Sequence, residues 1–192
     1  MALNDTELIQ KAQRGDTIAF EKLVYRYDNQ VLAIAAKYTN NSDDAKDIYQ
    51  EVFIRVFKGL KNFEWRSEFS TWLYRITTNV CLTYKTTQSK RAHSSLDQEF
   101  ASDEGDTVSL SDLVAGDLST DQQANDADIS AHVNEAMNHL SPQQKMVFSL
   151  RHYHGYKLKE ISTMMNCAEG TVKKYLFTAT QKMREQLSDV FE

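Results

Sequence analysis

From Asp16 to Tyr38 the apolar positions Phe20, Leu23, Val24, Tyr27, Val31, Ala35 and Tyr38 recur at steps of three and four, the spacing that puts side chains on one face of a helix. Asp16 supplies a helix-capping side chain. After the turn-forming stretch TNNSDD the same period returns at Ala45, Ile48, Tyr49, Val52, Phe53, Val56, Phe57 and Leu60, which predicts a second amphipathic helix ending near Gly59. A third is expected from about Glu68 to Lys85, with Phe69, Trp72, Leu73, Ile76 and Val80 on its apolar side. With a short segment from Asn4 to Gln13, these make an N-terminal bundle. Helical spacing resumes at Ile129, Val133, Met137 and Leu140, and the Ser141-Pro142 break places Pro where a new helix tolerates it, in the first turn. Further helices carry Met146, Val147 and Leu150, then Leu158, Ile161 and Met164 or Met165, then Val172, Leu176, Ala179, Met183 and Leu187. No stretch alternates as a strand would. The fold class expected is all-α, with two helical domains.

Between the domains the pattern lapses, and there charge changes the picture. The chain of 192 residues has a formal net charge of −5, but the charge is unevenly spread. Residues 1–92 hold 14 Lys and Arg against 11 Asp and Glu, and residues 131–192 hold 8 against 6. Residues 93–130 hold 10 acidic residues and no Lys or Arg, with much Ser and little bulky apolar character. This segment reads as an acidic, flexible linker, and its carboxylates could also stand in for phosphates in a partner's basic channel. The boundaries expected are therefore 1–92, 93–130 and 131–192.

Composition narrows the function. Hydrophobic residues make up 41% and charged residues 26%, with one Pro and six Gly, which is ordinary usage for a soluble globular protein. The longest apolar run, Val31 to Ala36, is far short of the ~18 residues a membrane span needs. Acidic residues near the N-terminus do not suit a signal peptide, so a cytoplasmic protein is expected. Cys81 and Cys167 have neither metal-ligand spacing nor a disulfide framework and read as reduced thiols. His152 and His154, two apart, cannot share a helix face as metal ligands. With no Gly-rich phosphate loop and no nucleophile motif, the expectation is no enzyme, no metal and no cofactor.

Two stretches carry functional chemistry. The segment from Tyr156 to Leu187 has the layout of a helix-turn-helix, with a turn at Asn166 to Gly170. Val172, Leu176 and Ala179 would anchor its longer helix, while Thr171, Lys173, Lys174, Tyr175, Thr178 and Lys182 are the candidates for DNA contact. The segment from Asp43 to Arg91 holds a polar stripe of Asp47, Gln50, Glu51, Arg55 and Lys58 with Ile54 at its centre, an arrangement suited to a protein contact. It continues into Phe63, Trp65, Phe69 and Trp72 interleaved with Lys61, Arg66 and Arg75, and on to Asn79. Aromatic faces beside cations are what the capture of unstacked bases requires. Phe69 and Trp72, three apart on an apolar face, suit packing; Trp65, in the loop-like EWRSE stretch, suits exposure.

At these residues the chain resembles the extracytoplasmic-function sigma factors of bacterial RNA polymerase. The resemblance lies in Asp43, Asp44 and Asp47, in the Gln50–Phe53 run, in the run from Phe69 through Asn79, in Leu140-Ser141-Pro142 and in Glu169 through Lys173. It implies that the first domain binds the β′ clamp helices through Asp47, Gln50, Glu51, Ile54, Arg55 and Lys58. It further implies that the same domain captures the −10 element of promoter DNA, that the second reads the −35 element and touches the β flap, and that an anti-sigma factor holds the protein. Asn166 stands where the family usually has Gly in the turn, and Lys174-Tyr175-Leu176-Phe177-Thr178-Ala179-Thr180 replaces an arginine-rich continuation. The rival reading is a free-standing helix-turn-helix regulator, which leaves the Asp47–Lys58 stripe and the aromatic loop without a role.

Overall fold

The computed structural model describes residues 3–94 and 120–188, with side chains over 3–84 and 129–188. The helices are α1 (Asp5–Gln13), α2 (Thr17–Thr39), α3 (Ser42–Leu60), α4 (Phe69–Ser94), α5 (Thr120–Asn138), α6 (Pro142–His152), α7 (Leu158–Met164) and α8 (Glu169–Leu187). Their starts follow local chemistry. Asn4 and Glu7 form a reciprocal capping box at α1, with both bonds 2.9 Å. Asp16 accepts from the Ala19 amide at 3.0 Å, and Asn41 accepts from the Asp43 and Asp44 amides at 2.8 and 2.9 Å. At α6 the Ser141–Gln144 box and Pro142 act together. Asn40, at φ 58°, ends α2 in the left-handed conformation that Asn tolerates.

The spacing argument places the core faces well. Leu23, Val31, Ile34, Ala35 and Tyr38 of α2 bury against Ala45, Ile48, Val52, Phe53 and Val56 of α3, with Leu73, Val80 and Cys81 of α4 in the same core. Burial pushes the Cys81 thiol up to about 12, so it stays protonated, and both cysteines are free. Two expectations need correction. Phe57, assigned to the buried face of α3, is 57% exposed, because α2 covers it only through an edge contact with Phe20 at 5.1 Å. The linker also ends earlier than expected, since α5 already begins at Thr120. Acidic and amide residues mimic a linker in composition, but Asp117–Leu140 contains neither Gly nor Pro to break a helix. The rest of the acidic stretch, residues 95–119, lies outside the described residues.

The two domains do not stand apart. Met146, Val147, Leu150, Ile161, Met164 and Val172 join the same buried cluster as the N-terminal helices. A smaller core of Ala136, Met137, Leu140, Ala179 and Met183 ties α5 to α8. Among the described residues, no helix is long and apolar enough to cross a membrane.

Candidate nucleic-acid and protein interfaces

The loop between α3 and α4 is built on an aromatic platform. Phe63 lies at its centre, only 6% exposed, with ring centroids 5.2 Å from Trp65, 5.9 Å from Phe69 and 5.1 Å from Trp72. Tyr27 of α2 closes the back, 5.4 Å from Phe69. The platform sits tightly on α3: a Cβ at Gly59 would come within 3.1 Å of Trp72 Cζ2, so any larger residue there would require the indole to shift. From below, Gln13 Nε2 donates to the carbonyls of Leu60 and Phe63 at 3.0 and 2.9 Å, tying the end of α1 to the loop.

On this base Trp65 stands 43% exposed at φ 60°, a conformation a bulky L-residue adopts at a cost of order 1–3 kcal/mol. Arg66, Lys61, Arg75 and Asn79 are exposed as well, and Arg66 pairs with Glu64 at 2.6 Å. The residues grouped by the sequence divide into an exposed set and a buried one. Phe63 and Phe69, named above as candidates for DNA contact, are buried and cannot stack on a base without unfolding the loop; they brace Trp65. Trp72 is half-buried between them.

The stripe on α3 is exposed at Asp47, Gln50, Ile54, Arg55 and Lys58 and half-buried at Glu51. Ile54 is 46% exposed. Glu51 holds Arg55 at 2.6 Å. Asp47, together with Asp44, accepts from the Tyr84 hydroxyl at 3.1 and 2.9 Å. Burial first, then these two carboxylates, raises the Tyr84 phenol above its ordinary value, which keeps it a donor at neutral pH. Phe57 lies one turn beyond Ile54. The periodic pattern hid it as a core residue, so the stripe carries two exposed apolar side chains rather than one.

On α8, Val172, Ala179 and Met183 are buried, as the sequence predicts. The opposite face, however, is rotated from the expected one. Thr171, Tyr175 and Thr178 are half-buried, as is Lys182, because α8 is packed by α5, α6 and α7 and Tyr175 lies against the core. The solvent face runs through Gly170, Lys173, Lys174, Phe177, Gln181 and Arg184. Phe177 at its middle is 65% exposed, and sequence spacing alone missed it. Lys173 pairs with Glu169 at 3.0 Å, which leaves Lys174 the freer cation at the front of the helix. Ahead of α8, Asn166 makes the turn at φ 51°, so Asn does there what Gly would do.

The chain matches the sigma-70 region 2 family over residues 23–91 and the sigma-70 region 4 family over residues 132–183. It is 30% identical over 184 residues to the ECF RNA polymerase sigma-E factor of Escherichia coli K12, covering 93% of this chain and 92% of that one. To the ECF sigma factor SigW of Bacillus subtilis it is 31% identical over 182 residues, covering 95% and 96%. Its fold is that of CnrH in complex with the cytosolic domain of CnrY, at TM-score 0.64 and 19% identity over 96% of this chain and 97% of that one. The same holds for the sigma factor RpoE bound to the anti-sigma factor NepR from Bartonella quintana, at 0.61 and 20% over 88% and 96%. With both family regions in order and relatives aligned along nearly the whole chain, the protein belongs to the extracytoplasmic-function sigma factors of bacterial RNA polymerase.

Proposed function

We propose that this sigma factor divides promoter recognition among its three exposed surfaces. Trp65, together with the exposed Lys61, Arg66, Arg75 and Asn79 of the same domain, receives an unstacked base of the −10 element. The observation that carries this reading is an exposed indole in a costly backbone conformation on a braced aromatic platform. Unstacking costs a few kcal/mol per base, and stacking on an aromatic side chain returns about 1–3 kcal/mol. The α3 stripe centred on Ile54 and Phe57 contacts core polymerase at the β′ clamp helices: two apolar anchors framed by Gln50, Arg55 and Lys58 have the make-up of an interface centre with a polar rim.

The α8 face reads the −35 element, with Lys174 facing guanine acceptors or phosphate and Phe177 placed to touch a thymine methyl; the same domain meets the β flap. The protein catalyses no reaction, acts where polymerase acts, in the cytoplasm, and is held by an anti-sigma factor, as the solved relatives named with such partners suggest. The test is reconstitution. Purified chain mixed with core polymerase should co-elute with it and confer initiation on a promoter that core alone ignores. Sequence-specific binding to DNA by the chain alone, with no association with polymerase, would instead mark a free-standing regulator.

A further inference from the structure

Helix α1 lies ahead of the sigma-70 region 2 segment, residues 23–91, yet both of its ends are fastened to the platform that carries Trp65. At its N-terminal end Asp5 pairs with Arg26 and accepts from the Tyr27 hydroxyl, and the Tyr27 ring backs Phe69 of the platform. Leu8 and Ile9 are buried at its middle. At its C-terminal end the half-buried Gln13 directs its amide at the loop: Nε2 donates to the carbonyls of Leu60 and Phe63, 47 and 50 positions away, which uses both N–H groups of the side chain. The Phe63 amide itself donates to the Leu60 carbonyl at 3.1 Å. Residues 60–63 thus form one closed turn, and Gln13 holds it at its first and last residue. Trp65 follows two positions later.

Resting on the role proposed above for Trp65, we infer that Gln13 is a positioning residue for promoter opening: it sets the outward stance of the indole by fixing the turn on which the loop is mounted. Trp65 stands at φ 60°, a conformation that persists only where the surrounding structure over-determines it. The loop's own Glu64–Arg66 pair cannot supply that hold, because both side chains are mostly exposed and an ion pair in solvent contributes little. Packing fixes the Phe63 ring, and Gln13 fixes its backbone. The Phe63 carbonyl shares a plane with the Glu64 amide, so anchoring that oxygen sets the direction in which the chain leaves toward Trp65. Preorganisation is the gain: an indole that had to be ordered as the base arrived would return less of the cost of unstacking. The chemistry at position 13 is correspondingly narrow. Asn is one methylene too short for the same reach, and Glu, of equal size, would turn a carboxylate without a proton toward two carbonyl oxygens.

A double-mutant cycle in reconstituted holoenzyme tests this, with open-complex formation on a duplex promoter followed by permanganate reactivity of unpaired thymines. Gln13→Ala should slow opening by roughly tenfold, the net loss expected for two neutral hydrogen bonds expressed as a rate, while affinity for core polymerase stays parental. In a Trp65→Ala background the same substitution should have no further effect, because the group it positions is gone. Gln13→Glu should open more slowly than Gln13→Ala although Glu fills the same space, whereas a residue that served only as packing would show the reverse order. In the free chain, hydrogen exchange at the Phe63 amide should quicken in both variants while the buried amides of α3 keep their protection. Additive defects of Gln13→Ala and Trp65→Ala would overturn the positioning role, as would parental opening by Gln13→Ala. Core affinity falling in step with opening, with faster exchange throughout α3, would leave Gln13 a residue of stability alone and overturn it too. Parental opening by Trp65→Ala would instead sink the reading of Trp65 and the inference with it, whereas a slow Trp65→Ala beside a parental Gln13→Ala would sink the inference only.

Discussion

The aromatic loop after α3 and the helix α8 both present aromatic side chains to solvent, but their exposure has different origins. In the loop, burial is sharply divided between neighbours. Phe63 and Phe69 are sunk in the platform while Trp65, two residues from Phe63, is turned outward by a left-handed backbone. On α8 the backbone is regular, and exposure is set by how the whole helix is rotated against α5, α6 and α7. A loop site therefore depends on single residues that hold an unusual conformation, whereas a helix site depends on packing shared along its length.

The largest expected effect breaks the loop half of this contrast. Phe63→Ala should lower unfolding free energy by about 3–5 kcal/mol, the usual cost of deleting a buried Phe, read by urea denaturation. Trp65→Ala should change stability far less, yet slow open-complex formation on duplex promoters, with a milder defect on a template pre-melted at −10. Equal stability losses for the two would make Trp65 an ordinary core residue, and equal transcription defects on both templates would point to misfolding.

Next in size is the protein contact proposed for α3. Ile54→Asp should leave helicity unchanged and cost on the order of 2 kcal/mol of binding to core polymerase, if Ile54 is a central anchor, a loss of roughly thirty-fold. Phe57→Ser should also weaken binding. Normal affinity in both variants would free this stripe from its assignment.

For α8 the expectation is smaller and lies in preference rather than overall affinity. Phe177→Ala and Lys174→Ala should each relax discrimination at one or two −35 base pairs by about 1–2 kcal/mol, within the range of a single base contact. Lys182→Ala should weaken all sequences alike. Measured against a panel of −35 variants by holoenzyme binding, a uniform effect of Phe177→Ala would show that the rotated face does not read bases.

The smallest effect separates the domains by pH. Residues 1–92 contain no histidine, whereas His154 and His152 lie in the second domain with their basicity lowered. Burial is the main cause in both, assisted by Lys37 at His154 and by Arg151 at His152. A lowered folded-state value means the unfolded chain takes up protons first, so stability falls as pH drops through the unfolded value of about 6.5. His154→Gln should flatten the fall in denaturation midpoint between pH 7.5 and 5.5. An unchanged slope would show that His154 is neutralised no more readily in the fold than outside it.

What the sequence by itself determined is the class, the helices and their core faces. Period, caps and the Ser-Pro break are local signals, and they place α2, α3, α6 and α8 because backbone satisfaction and amphipathic burial are decided within a few residues. It also determined the helix-turn-helix and its buried anchors Val172 and Ala179. Only the tertiary structure decided which members of each group face outward. Phe57 and Phe177 are exposed and Phe63 is buried because neighbouring helices cover some faces and not others, and that coverage has no counterpart in the spacing of a single segment. The start of α5 at Thr120 escaped for a related reason: composition measures how soluble a stretch is, and a soluble stretch without Gly or Pro can still be a helix. Least legible of all was the contact between Arg75 and Asn166, 91 positions apart, since a bond between two domains depends on their docking and leaves no periodic trace in either.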